Sequence, residues 1–396
     1  MINKYFKNRN LVYIYVAFFG FFFVFESVSI LAPIYLEKKT NSVYYVSLFF
    51  SLANAVGVIF PLIGRLITSK VSRSSLVNIV FLIMSSMLIM TAYIEKTLPL
   101  FIIFLLIFGL KNIFNQALNP YIGNLNNFDT DKVFAIRDLF LFLGAGLGLS
   151  LSSILKNNNL TWAKTSFILA LLSIIIFIIL RIINVSIQPV MELNRTEKRV
   201  STMKNKFTRF ENKRNLAVLI IMYISGYFVS SLFQFLPIIC IKNNVKEASI
   251  LLIYSISYYA VPILSLLSVK YFEKTDRKYV FIFDHLFDIL PILLLVLIPG
   301  NSIILLLILV IFNIKDIVSP ISIAYFFNCF SESDGNTAWA LVGAIANTFS
   351  ILSPIIIGML FEKSIFLMEI LIIISLLATG IVGIILLPKQ QKEGKN

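Results

Sequence analysis

The chain has 396 residues, a formal net charge of +14 and a mean hydropathy of +0.90. Hydrophobic residues make up 58% of it and charged residues 14%, whereas soluble domains have roughly 45–50% and about 25%. This composition excludes a soluble protein with a single core. It indicates an all-α polytopic membrane protein, because each membrane-spanning helix needs about 20 apolar residues.

Twelve membrane spans are predicted along the chain. The first half holds spans at about residues 11–36, 42–67, 75–93 and 98–119, a fifth after the polar loop 123–132, and a sixth at 162–183. The second half holds a span that ends at Cys240 and further spans at about 248–271, 280–298, 302–327, 337–360 and 366–387. Lys38 and Lys39 are predicted to lie in the loop after the first span.

The cations are concentrated in alternate loops, as the positive-inside rule requires of a membrane protein. This pattern predicts that both termini are cytoplasmic, and it explains the net charge without nucleic-acid binding. The longest basic stretch, 188–215, is predicted to be a cytoplasmic linker between two six-helix halves, 1–187 and 216–396. The first apolar run is too long for a signal peptide and is expected to stay as a span.

A short repeat supports the division into two halves. Residues 107–113 read IFGLKNI and residues 311–317 read IFNIKDI, which places Lys111 and Lys315 at an offset of 204 positions. The same offset relates Pro33 to Pro237. A constant offset close to half the chain length indicates two parallel, pseudo-symmetric halves.

Two halves joined by a basic loop resemble the plan of major facilitator transporters. Residues 64–73, GRLITSKVSR, are similar to the family's loop motif G-x-L-A-D-R-x-G-R-K, although Thr68 replaces its acid and Ser69 its arginine. The matching loop in the second half, EKTDRK, is similar to D-R-x-G-R-K. The resemblance implies a conformational latch in this second loop, formed by Glu273, Lys274, Arg277 and Lys278.

A glycine-rich segment lies in the fifth span, with Gly144, Gly146 and Gly148 in sequence. It is similar to the antiporter segment of the same family, but lacks that segment's glycine-proline pair. Small residues also let helix backbones approach closely. The segment therefore fits simple helix packing at least as well as an exporter signature.

Ionisable side chains at mid-span cost about 2.5–3.5 kcal/mol each to insert, so each of them suggests a function. Glu26, Lys111 and Lys315 lie near the middle of the first, fourth and tenth spans, which line the central cavity in the family. Glu26 is predicted to carry protons, with Asp316 as a second acid. Lys111 and Lys315 are predicted to bind an anionic or zwitterionic substrate. The alternative is that the acids only neutralise the lysines as structural pairs.

Further polar side chains are predicted to contribute to the substrate site. Asn115 lies four residues after Lys111 and shares its helix face, Asn112 widens that face, and Gln234 lies in the seventh span. Asp284, His285 and Asp288 in the ninth span admit a proton or metal role, but pairing with basic loop residues is favoured. No cofactor, metal site or enzymatic motif is expected.

The sequence thus predicts a secondary active transporter that works by alternating access in the cytoplasmic membrane. Proton-coupled efflux of a small molecule by a monomer is the first hypothesis. A solute-uptake permease with the same fold is the second. A lipid-handling or sensor protein that reuses the fold remains a third.

Overall fold

The computed structural model describes residues 3–68, 70–123, 130–183, 213–272, 275–298, 300–330 and 332–389. Within these ranges the chain is helical and contains no strand. Eleven helical stretches in the described residues are long and apolar enough to cross a membrane, which confirms a multi-pass helical membrane protein. A shorter apolar helix, Ser302–Ile314, lies within the tenth predicted span.

The chain forms two compact units. The first unit comprises Met1–Val190 together with Pro237–Pro262, and the second comprises Met191–Leu236 together with Ile263–Asn396. The predicted linker, 188–215, lies outside the described residues as far as residue 212. The predicted division into halves 1–187 and 216–396 stays a prediction.

The long helices form where the sequence is apolar, and each contains a run of apolar residues long enough to span the hydrocarbon core. Through the first unit and the start of the second, the helices are α1 (Asn3–Lys7), α2 (Arg9–Thr40), α3 (Val43–Thr68), α4 (Arg73–Tyr93), α5 (Thr97–Gly123), α6 (Thr130–Asn157), α7 (Trp162–Ile183), α8 (Lys213–Gln234), α9 (Leu236–Lys242) and α10 (Glu247–Tyr271). The first unit contains α1–α7, most of α9 and the first part of α10.

The rest of the second unit follows the same pattern of long apolar helices, but with more interruptions. Its further helices are α11 (Arg277–Phe287), α12 (Ile289–Leu297), α13 (Ser302–Ile314), α14 (Ser319–Asn328), α15 (Glu332–Lys363) and α16 (Ile365–Leu386), with a 3₁₀ turn (Lys315–Val318) between α13 and α14.

The first span, α2, extends further than the sequence predicted. It ends at Thr40, and the capping residue Asn41 adopts a left-handed conformation with φ of 50° and donates its N–H to the carbonyl of Glu37. Helices commonly end at a residue with positive φ, and asparagine is one of the few residues that tolerate this conformation. Lys38 and Lys39 therefore lie in the last turn of α2, where cations are favoured, and their predicted place in a loop was wrong.

Helices α2 and α6 pack closely through the glycines of α6. A Cβ atom at Gly144 would overlap the carbonyl oxygen of Phe19, and one at Gly148 would overlap that of Phe23. The two glycines lie one turn apart on α6 and face two carbonyls one turn apart on α2. The glycine-rich segment is therefore a packing surface within the first unit.

Three predicted spans are interrupted in the structure, at Phe235, at Asp288 and at the 3₁₀ turn Lys315–Val318. A proline follows each break within three residues: Pro237, Pro291 and Pro320. Proline lacks an N–H and crowds the carbonyl four residues earlier, so it breaks a helix just before itself. Lys315 thus lies in a helix break, whereas its counterpart Lys111 lies inside the continuous helix α5.

Candidate functional site

Glu26 is a buried carboxylate in the middle of α2, with 7% of its surface exposed. The hydroxyl of Ser29 donates to its Oε2 atom at 3.0 Å and to its backbone carbonyl at 2.8 Å. One carboxylate oxygen is therefore held by a neighbour on the same helix. The other, Oε1, is available to a group from another helix.

That group is Lys111 of α5. Its ammonium nitrogen lies 3.9 Å from Glu26 Oε1, at the outer limit of an ion pair. The same nitrogen lies 4.9 Å from the ring centroid of Phe25 and 5.6 Å from that of Phe22, within the range of cation–π attraction. The side chain of Lys111 remains 38% exposed. The structure therefore brings the two residues together in a loose pair with an accessible cation.

The polar face predicted on α5 continues to Asn119, about 12 Å along the axis from Lys111 at 1.5 Å per residue. Asn119 accepts a hydrogen bond from Arg137 of α6 at 2.7 Å. Arg137 also donates to the carboxylate of Asp138 and packs over the rings of Phe18 and Phe134. The face thus has a cation paired with a carboxylate at each end.

Between these two ends lie the amides that the sequence assigned to substrate binding. Asn115 is half-buried and has no hydrogen-bond partner in the part of the chain that the structure describes. Asn112 makes only a long bond, 3.5 Å, to the carbonyl of Phe108 on its own helix. Both side chains are consequently available to a ligand, because neither is held by another helix.

The predicted site residues of the second unit are described less completely. The side chains of Lys315 and Asp316 lie outside the described residues, although their backbones form the 3₁₀ turn. Gln234 is the last residue of α8, and its Oε1 atom is buried without a hydrogen-bond donor among the described residues. An unpartnered amide beside a helix break is a suitable place for a ligand contact.

The predicted latch residues have different surroundings. Glu273 and Lys274 lie outside the described residues, and Arg277 is exposed at the start of α11. Lys278 is buried, and its ammonium donates to the carbonyls of Ile384 at 2.8 Å and Leu387 at 2.6 Å. Lys278 therefore satisfies carbonyls at the end of α16, where a helix leaves them without partners.

The ninth-span residues take part in a polar network inside the second unit. His285 Nε2 lies 2.8 Å from the hydroxyl of Thr379 and 3.3 Å from that of Ser225. Ser322 donates to Asp284 at 2.7 Å. Hydroxyl groups of α8, α14 and α16 are thus among the partners of α11. The predicted pairing of these α11 residues with basic loop residues stays a prediction.

Two buried acids in the described residues were not identified as candidates from the sequence: Glu37, which pairs with Lys242 at 3.5 Å, and Glu369. Glu369 of α16 is 2% exposed, and its Oε1 atom has no hydrogen-bond donor among the described residues. The signal was available, because an acid in an apolar span suggests a function by the same rule that selected Glu26. Glu369 lies only one turn from the start of its helix, where sequence alone does not separate a buried acid from a solvated one.

Several solved transporter structures resemble this chain. The nucleoside transporter NupG is 16% identical, with a TM-score of 0.73 over 94% of this chain and 97% of that one. The xylose transporter XylE from E. coli, in an inward open conformation, is 12% identical, with a TM-score of 0.69 over 98% of each chain. The peptide transporter POT in complex with sulfate is 14% identical, with a TM-score of 0.70 over 95% of this chain and 93% of that one.

No protein-family model matches the sequence, and no curated protein matches it. The similar structures are those of transporters rather than enzymes. At identities this low, the likeness shows the fold alone. The chain has the fold of major facilitator transporters, as its sequence resemblance predicted.

Proposed function

We propose that this chain is a proton-coupled secondary transporter of the cytoplasmic membrane that exports a small zwitterionic molecule by alternating access. The observation that carries the proposal is the pairing of Glu26 with Lys111 on a half-buried polar face of a transporter fold. Buried charges in a membrane are costly and are retained where they handle ions or substrates.

The charges on this face favour a zwitterion over a purely cationic or anionic substrate. Each of the two cations on this face is paired with a carboxylate, Lys111 with Glu26 and Arg137 with Asp138. A carboxylate of the substrate binds Lys111, and its ammonium group binds Glu26. Asn112 and Asn115 supply hydrogen bonds between the charged ends.

Proton coupling follows from competition at Glu26. A protonated carboxyl no longer attracts the ammonium group of the substrate, so proton binding and substrate binding oppose each other. Exchange of external protons for internal substrate then drives export.

In this proposal, the chain has twelve spans and both of its termini lie in the cytoplasm. Helix α13, the 3₁₀ turn and α14 together form the tenth span, which is about 40 Å long.

Uptake is the second candidate, and the exposure of Lys111 favours it. Its side chain is 38% exposed, whereas that of Glu26 is 10% exposed, so the cation is more accessible to a ligand. If the substrate is an anion that binds only Lys111, protonation of Glu26 releases the lysine and strengthens substrate binding. Proton and anion then move together, which drives uptake by an inward proton gradient.

The direction is tested by comparing metabolites inside and outside cells that carry or lack the gene. Export predicts that the deletion raises the internal level of the substrate, and uptake predicts that it lowers that level. Unchanged levels across a broad panel of metabolites would count against transport.

The coupling is then tested with that substrate in proteoliposomes. Glu26→Gln is expected to abolish proton-driven flux. Substrate exchange is expected to continue at a higher substrate concentration, because the neutral amide no longer attracts the ammonium group while Lys111, Asn112 and Asn115 still bind the substrate. Glu95→Gln serves as the matched control, because Glu95 is exposed between α4 and α5. Intact proton-driven flux in Glu26→Gln would contradict the assignment of Glu26.

A further inference from the structure

A polar cavity of about 550 Å³ lies in the first unit, at the end of α2 and α6 and the start of α10. It is separate from the Glu26–Lys111 pair, because its walls come from helix ends and the loops that join them. Its charged lining residues are Lys38, Lys156, Lys246 and Glu247. This volume lies within the range of small-molecule sites.

A single carboxylate serves two of the three lysines. Lys38 pairs with Glu247 Oε1, and Lys156 lies 3.2 Å from Glu247 Oε2. Lys246 makes no ion pair with a residue that the structure describes. Among the described residues that line the cavity, three cations and one anion therefore give a net charge of +2.

The enclosure of Lys156 strengthens its preference for an anion. Its side chain is 12% exposed, and apart from Glu247 its one partner among the described residues is the carbonyl of Leu160, at 3.4 Å. A cation withdrawn from water is strongly stabilised by a second anionic partner. The first turn of α10 also forms part of the wall, and the start of a helix favours negative charge.

We propose that this cavity binds a phosphate group, held by Lys156, Lys246 and Lys38. An inorganic phosphate dianion would balance both excess positive charges, and the phosphodiester of a lipid headgroup would balance one of them. Lysines bind phosphate as point charges. The cavity lies at the ends of membrane-spanning helices, where phospholipid headgroups are found, so both a lipid and a soluble phosphate can reach it. The bound phosphate competes with Glu247 for Lys38 and Lys156, and thereby weakens the link between α2, α6 and α10.

Binding is measured with the purified full chain in phosphate-free detergent, by equilibrium dialysis against radiolabelled inorganic phosphate at constant ionic strength. Lys246→Ala and Lys156→Gln are each expected to weaken phosphate binding at least tenfold. Lys96→Ala is the control, since Lys96 is exposed in a loop of the same unit and does not line the cavity. It is expected to bind phosphate as the unaltered chain does.

The Glu247→Gln variant distinguishes loss of the phosphate site from misfolding of the protein. This change removes the competing carboxylate, so it is expected to tighten phosphate binding several-fold, which a misfolded protein would not do. Native mass spectrometry of the chain from phosphatidylglycerol nanodiscs tests the lipid source. Retention of phosphatidylglycerol that Lys246→Ala abolishes assigns the site to a headgroup, and binding of inorganic phosphate alone assigns it to a soluble ligand.

The proposal is overturned if the unaltered chain binds neither inorganic phosphate nor phosphatidylglycerol. It is equally overturned if Lys246→Ala, Lys156→Gln and Glu247→Gln all bind as Lys96→Ala does. Neither outcome depends on transport, so the site and the proposed function can fail separately.

Discussion

Gly148 of α6 lies against the backbone carbonyl of Phe23 in α2, so closely that the position has no room for a Cβ atom. One turn earlier, Gly144 has the same relationship to Phe19. The contact is between two backbones, which cannot move aside as a flexible side chain can. This pair of glycines sets how closely the two helices approach, and it gives the glycine-rich segment a role in packing.

We expect Gly148→Ala to lower the melting temperature, because the added methyl group forces α2 and α6 apart. Overpacking of this kind costs about 1–3 kcal/mol. The measurement is thermal unfolding in detergent, followed by intrinsic fluorescence. Gly226→Ala is the control, since a Cβ atom there meets nothing within 4 Å and alanine favours a helix. A Gly148→Ala protein as stable as the control would refute the packing role.

Lys278 and Arg277 are adjacent in sequence, but Lys278 is buried and Arg277 is exposed, so their effects on stability can be compared directly. Lys278→Met is expected to destabilise the chain by about 2–3 kcal/mol, because the carbonyls of Ile384 and Leu387 lose a charged donor. Arg277→Ala is expected to leave stability unchanged, since Arg277 is exposed. Chemical or thermal unfolding of both variants measures the difference. Equal stability would show that Lys278 does not hold the end of α16.

Apolar length and charge alternation could predict the helical spans, because the bilayer imposes both. The helix breaks at Asp288 and Lys315–Val318 were not predicted, although the prolines that follow them are visible in the sequence. A proline within a span kinks some helices and ends others, and the packing around it decides which.

The candidate site could likewise be predicted from the sequence only in part. Glu26 and Lys111 could be placed together because both are charged and lie at mid-span. The pairing of Lys38 with Glu247 joins residues 209 positions apart and depends on where α2 ends and α10 begins. Sequence does not fix helix ends to within one turn, so a pair at those ends could not be predicted.

The strength of the Glu26–Lys111 interaction distinguishes a functional pair from a structural one. We expect a coupling free energy below about 1 kcal/mol, as for accessible pairs, because the atoms are 3.9 Å apart and Lys111 is partly exposed. The unfolding free energies of Glu26→Gln, Lys111→Met and the double variant give this coupling. A coupling of several kcal/mol would instead mean that the acid and the lysine mainly stabilise the fold.

Glu369 offers a prediction in the opposite direction, toward greater stability. Glu369→Met is expected to stabilise the chain by about 1–3 kcal/mol, because the buried carboxyl is replaced by an apolar side chain of similar length. Glu362→Met is the control, since Glu362 is exposed near the end of α15. Thermal unfolding in detergent checks both variants. An ionisable group kept in a span despite its cost indicates a function, so the stabilised variant is also expected to transport more slowly. Lower stability in Glu369→Met would show that the carboxyl has a structural partner.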